Sequence, residues 1–176
     1  MAWSCDFPPK GILQGPRREY SGRYENRAYG FSVLIPQGVK GYDEDDPLYQ
    51  RGFGVILGPA PLGYIDVGAE VNSLEETDPR SAVERMLGYM RKDGKRLITT
   101  RTTGYRLDTL PGQRSVVFYL CPKGATEFVD DSTVAISPDG RFLFQIRLQT
   151  TAARYQRDRA VLEKMLSSRK FIGSAN

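Results

Sequence analysis

Histidine is absent from this chain of 176 residues. That removes the commonest general base, the commonest metal ligand, and the Ser/His and Cys/His catalytic pairs. Cysteine is nearly absent: Cys5 and Cys121 are the only two. Two cysteines without histidine do not make the usual three- or four-ligand zinc site. They leave open one disulfide or two unpaired thiols, and with that the redox compartment. No run approaches the roughly 18 apolar residues of a spanning helix. The opening Met1-Ala2-Trp3-Ser4-Cys5-Asp6-Phe7-Pro8-Pro9 lacks the apolar stretch of a signal peptide. The expected location is periplasmic or exported if a signal segment has been removed, and cytoplasmic otherwise.

Charge of either sign is in short surplus. Lys and Arg number 25 against 21 Asp and Glu, a net +4 with pI near 9.1. A nucleic-acid binder gathers its basic residues on one face. Here Arg17-Arg18, Arg91-Lys92, Lys95-Arg96 and Arg169-Lys170 are scattered pairs among acids, so no nucleic-acid partner is expected. What is present is the balance of a folded globular domain: 40% hydrophobic, 26% charged and 11% aromatic residues. A chain of this length buries roughly 70% of its unfolded surface, so its core needs no metal or disulfide framework.

Residues 1–19, with Pro8, Pro9, Gly11, Gly15 and Pro16 and little periodicity, read as an N-terminal arm or tail. Residues 20–176 read as a single domain. Phe31 to Ile35 is a β-rich run closed by Pro36-Gln37-Gly38. Gly52–Leu57 and Tyr64–Val71 read as two strands of an antiparallel hairpin. In the second, Ile65, Val67, Ala69 and Val71 alternate with Tyr64, Asp66, Gly68 and Glu70, the period of a sheet buried on one face. Asp78 before Pro79 is a helix start, because Asp accepts from the free amides of the first turn and Pro tolerates the first helical position. Val83, Met86, Leu87 and Met90 then make one apolar stripe, predicting a helix from Pro79 to Lys92 ended by Gly94.

Four strand-like runs follow: Leu97–Arg106, Arg114–Cys121, Glu127–Ile136 and Arg141–Gln149. The last two flank Ser137-Pro138-Asp139-Gly140, the strongest hairpin signal in the chain. Phe142, Phe144, Ile146 and Leu148 mark a buried face. From Ala152 to Ser168 the pattern is helical, with Val161, Leu162, Met165 and Leu166 as its stripe. Together these elements predict an α+β fold, a mainly antiparallel β-sheet flanked by helices.

The chemistry-bearing motifs fail on spacing. Gly52 to Gly58 is glycine-rich, but it places three residues where a dinucleotide fingerprint needs two and leads to Pro59, not to a helix N-terminus. Gly88 to Gly94-Lys95 has five residues where a phosphate loop needs four, and it lies at a helix C-terminus. Asp43-Glu44-Asp45-Asp46 carries enough oxygens for calcium, yet Pro47 and Leu48 occupy the positions where an EF-hand wants Asp or Asn and then Gly. Asp66 and Glu70 share a strand face about 13 Å apart. Glycosidase carboxylates stand about 5 to 9.5 Å apart, so this pair needs a further partner such as Asp130 or Asp131. The ten tyrosines suit packing, or a protein-binding face where exposed. No catalytic, cofactor-binding or metal residue is assigned.

Two segments carry a family likeness. Tyr24 and Tyr29-Gly30-Phe31-Ser32-Val33-Leu34-Ile35-Pro36-Gln37-Gly38 resembles the opening strand of PsbP-like domains, an aromatic and β-branched run ending in Pro-x-Gly. Val161 to Ser168, followed by Arg169-Lys170-Phe171, resembles that family's final helix and its Ser-x-x-Phe end. The likeness spans about residues 20–172; Val39 departs from it where many relatives carry Trp. It implies a sheet sandwiched by helices and used for protein contact, in a fold group shared with a Ran-binding import factor, DcrB-like bacterial proteins and effector-associated chaperones. The expected function is therefore a non-enzymatic protein-interaction domain, a bacterial accessory or assembly factor with a protein partner and no cofactor. The alternative is a small-ligand or calcium-binding domain using the acidic loop 43–46.

Overall fold

The computed structural model describes residues 18–43, 52–58 and 63–173. Its main sheet contains β1 (Glu19–Tyr20), β4 (Gly41–Tyr42), β5 (Phe53–Leu57), β6 (Gly63–Val71), β7 (Arg96–Leu107), β8 (Leu110–Leu120), β9 (Glu127–Ile136) and β10 (Phe142–Thr151). Their spatial order is β1-β4-β5-β6-β10-β9-β8-β7, antiparallel throughout. A second sheet of three strands contains β2 (Gly22–Asn26), β3 (Phe31–Ile35) and β11 (Lys170–Phe171), in the order β11-β3-β2. The helices are α1 (Pro79–Lys92) and α2 (Tyr155–Ser168). The fold is α+β, as the element pattern predicts.

Alternation along the strands sends two apolar sets to opposite faces. On one face α1 buries Ala82, Val83, Met86, Leu87 and Met90 against Val117, Tyr119, Val134 and Leu143. On the other, Phe53, Val55, Ile65, Val67, Phe144, Ile146 and Leu148 meet Leu162, Met165 and Leu166 of α2 and Phe31, Val33 and Ile35 of the small sheet. Removing these side chains from water at about 25 cal/mol per Å² is the main favourable contribution to the fold.

Local signals are seen at work. Asp78 accepts from the Arg80 N–H at 2.9 Å, with Pro79 opening α1. At the other end Gly94, at φ +74°, lets its N–H reach the Arg91 carbonyl while the Lys95 N–H reaches Met90. That pattern is a Schellman stop. Between β9 and β10 the Ser137 N–H bonds the Phe142 carbonyl, and the Ser137 hydroxyl accepts from the Phe142 N–H.

Several boundaries differ from expectation. The main sheet begins at Glu19, which pairs with Tyr42, so the last residue of the expected arm is a strand residue; residues 1–17 lie outside the described residues. β8 begins at Leu110, four residues before Arg114, despite Pro111 and Gly112. Pro111 lies beyond the last β9 pairing, at Gly112, so the strand tolerates it there. α2 starts at Tyr155, because Ala152–Arg154 make a turn in which the Ala152 N–H bonds the Glu127 carbonyl. The expected inward set of β10 holds for Phe144, Ile146 and Leu148, whereas Phe142 is half-buried; at the end of β6, Val71 is 50% exposed.

Candidate functional site

The sheet register decides the fate of each carboxylate. Asp130 and Asp131 are both fully buried and, as neighbours on β9, face opposite sides of the sheet. Asp131, on the α2 side, accepts two 2.7 Å bonds from Arg114 and one at 2.8 Å from the Tyr155 hydroxyl. Arg114 also reaches Glu163 of α2 at 2.8 Å. Burial lowers the Arg114 pKa, but the bonds and charges of Asp131 and Glu163 outweigh it and hold the guanidinium well above its ordinary range. Burial followed by the charge of Asp131 raises Tyr155. Asp130, on the α1 side, accepts from Arg147 at 2.8 Å and from the Ser132 hydroxyl. Asp66 lies opposite Arg147 in the register, on Asp130's face. The structure thus commits Asp130 and Asp131 to arginine pairs that tie strands and α2 together, and it does not bring Asp66, Glu70 and Asp131 into one cluster.

Of the acidic loop, Asp43 accepts from the Tyr20 hydroxyl, and burial followed by that bond pushes Tyr20 up to about 12. Glu44, Asp45 and Asp46 lie outside the described residues. Among the described residues no three His, Cys, Asp or Glu side chains gather to hold a metal. Cys121 is disulfide-bonded, and Cys5, the only other cysteine of the chain, lies outside the described residues. The glycines of Gly52 to Gly58 serve close packing: a Cβ on Gly52 would stand 1.8 Å from the Val67 carbonyl oxygen. Most tyrosines pack, as in the Tyr20, Tyr24 and Phe53 group, where Tyr24 and Phe53 ring centres are 4.5 Å apart.

The candidate interaction site is the outer edge of β7. Among the described residues the main sheet ends on one side in the two-residue β1 and on the other in the 12-residue β7. Eleven register pairs bind β7 to β8, and Leu107 anchors it in the core beside Leu110. Apart from Leu107 and the half-buried Leu97 and Tyr105, which pack at the margins of the two cores, its faces are open: Arg96, Ile98 to Gly104 and Arg106 are exposed. The ladder puts Thr99, Arg101, Thr103 and Tyr105 on the α2 side, and Thr100, Thr102 and Arg106 on the α1 side. A bulge between Leu97 and Thr99 leaves Ile98 48% exposed. From Arg96 to Leu120 the hairpin carries four arginines and one carboxylate, Asp108. Asp108 is occupied at the turn, accepting from the Phe171 N–H at 2.9 Å. Such an edge offers a row of backbone donors and acceptors to an incoming strand. Sequence reading found the strand but not its place; the available signal was a run of threonines and arginines with no apolar face.

The fold is that of the PsbP-like group. The solution structure of cyanobacterial PsbP from Synechocystis superposes with a TM-score of 0.58 over 89% of this chain and 94% of that one, at 16% identity. The Saccharomyces cerevisiae Ran-binding protein Mog1p superposes with a TM-score of 0.57 over 90% of this chain and 96% of its own, at 8% identity. No family model matches the sequence, and no curated protein matches it. No helix among the described residues is long and apolar enough to cross a membrane.

Proposed function

We propose that this chain is a non-enzymatic protein-binding domain that takes an extended segment of a partner protein onto the outer edge of β7. The observation that carries the reading is the contrast between the two ends of the main sheet. Among the described residues, one ends in a strand of two residues and the other in a strand of 12 residues exposed over most of its length. Natural sheets keep exposed edges short or protect them, so a long open one is a place for a further strand. The similarity in fold to a Ran-binding protein supports protein binding as the class. So does the use of Asp130 and Asp131, both fully buried, as arginine partners that tie the sheet together.

The test uses the direction of backbone N–H groups. Along an antiparallel edge, successive N–H groups point alternately to the neighbouring strand and outward. Of Thr102→Pro and Thr103→Pro, one therefore breaks the β8 ladder and melts early, while the other keeps the parent melting temperature and blocks only the open side. A photo-crosslinking residue at Thr100 should give a defined adduct in source cells. One at the exposed Glu84 of α1 should not, and the adduct should vanish in the proline variant that melts like the parent. An adduct equally strong from Glu84, or one untouched by that proline, would overturn the reading.

A further inference from the structure

We infer that the segment received by β7 is acidic, with carboxylates spaced to meet Arg96, Arg101 and Arg106. This rests on edge docking as proposed above and adds the chemistry of the partner. The three arginines recur every five residues, about 17 Å apart at the rise of an extended chain. β7 contains no acid, and Arg96 and Arg101 have no ion-pair partner among the described residues. Arg106 spends one N–H on the Thr109 carbonyl at 3.3 Å and otherwise faces outward, exposed. By the ladder, Arg101 projects to the α2 side and Arg106 to the α1 side, so a bound strand meets positive charge on both of its faces.

The same arrangement argues against a second copy as the occupant. Antiparallel self-pairing centred on Arg101 sets that residue against itself and lays the arginine-bearing, acid-free edge of one copy along that of the other, and like charges directly opposite each other destabilise a sheet. An acidic strand turns each of those positions into an attraction. The threonines at 99, 100, 102 and 103 suit it sterically, since β-branched residues pack well on a pleated surface.

The experiment uses three synthetic probes: a Thr/Val peptide of 12 residues with Glu at every fifth position, the same peptide with Lys there, and the Glu peptide interrupted by a central Pro. Binding to the full chain is measured by fluorescence anisotropy at low and high salt. The Glu peptide should bind about tenfold more tightly than the Lys peptide at low salt, and the gap should close in molar salt. Arg96→Glu/Arg101→Glu/Arg106→Glu should reverse the preference, with circular dichroism reporting that the variant stays folded. Equal binding of Glu and Lys peptides, still blocked by the edge proline, overturns the acidic partner and leaves edge docking standing. Glu-peptide binding that survives the edge proline, or that the central Pro does not weaken, overturns edge docking and the inference with it. Failure of the Glu peptide to bind overturns the inference. So does a concentration-dependent dimer that the edge proline abolishes, because the occupant is then a second copy.

Discussion

The guanidinium carbon of Arg169 lies 4.5 Å from the centre of the Phe144 ring, in a side chain only 2% exposed. Phe171 and Phe31 add rings at 4.7 and 5.4 Å. Neither terminal nitrogen has a hydrogen-bond partner, and burial, opposed only by Asp108, pulls the group down to about 10. The ring contacts return part of the desolvation cost, each about 2 kcal/mol at best. A buried charge without hydrogen bonds costs several kcal/mol, so the two nearly cancel. Arg169→Met should therefore stay within about 1 kcal/mol of the parent in urea unfolding, whereas Arg169→Ala should lose about 2–4 kcal/mol to the cavity. A Met variant as unstable as the Ala variant would show that the cage outweighs the desolvation.

Arg114 and Asp131 differ from Arg169 in being held by charge-assisted hydrogen bonds. Arg114→Met leaves the Asp131 carboxylate at 0% exposure with the Tyr155 hydroxyl as its remaining side-chain donor among the described residues, and should cost about 3–5 kcal/mol. Arg114→Met/Asp131→Leu removes both charges from the same face and should recover most of that loss. If the double variant is no more stable than the single one, the pair does more than cancel its own burial.

The arginine partners of Asp130 and Asp131, Arg147 and Arg114, mark the limit of what local sequence patterns carry. The stripe Val83, Met86, Leu87, Met90, the alternation Ile65 to Ala69 and the turn Ser137 to Gly140 are short-range patterns, and the structure realises each. Which arginine meets Asp130 and which meets Asp131 depends on the β8–β9–β10 register, which no local pattern encodes. β11, two residues long, is too short to show a period, so the small sheet was invisible apart from β3. The edge was half legible: Leu97–Arg106 reads as a strand, but its exposure follows from strand order. The missing apolar face in Thr99–Thr103 was the local trace of that position.

Gly54 offers a test of packing across β5 and β6. A Cβ there would stand 2.1 Å from the Tyr64 hydroxyl oxygen and 2.6 Å from Cε2, against a ring that is 4% exposed. Gly54→Ala should cost about 1–3 kcal/mol in thermal or urea unfolding. Gly104→Ala on β7, where nothing lies within 4 Å of the added methyl, should change stability by about 0.5 kcal/mol or less. Equal effects at the two sites would mean that the Tyr64 ring moves aside without cost.

Lys95 gives a pH dependence with a definite sign. It is 4% exposed, and its ammonium lies 5.1 Å from the centre of the Tyr119 ring. Burial, and then the charge of Arg147, bring its pKa from 10.5 down to about 8, against the opposing pull of Asp130 and Asp93. The folded value lies below the unfolded one, so between about pH 8 and 10.5 the unfolded chain holds the extra proton. Its contribution to stability therefore rises through that window. Below pH 8 both states carry the ammonium, and the folded one bears its full burial cost. In the folded protein burial and the charge of Asp130 raise Tyr119, and its titration in the unfolded chain is common to parent and variant, so it cancels in the comparison. Lys95→Met should accordingly be more stable than the parent at pH 7, and the advantage should shrink steadily toward pH 10 in paired urea melts. An advantage that stays constant across that range would show that the Lys95 ammonium keeps its ordinary pKa in the folded protein.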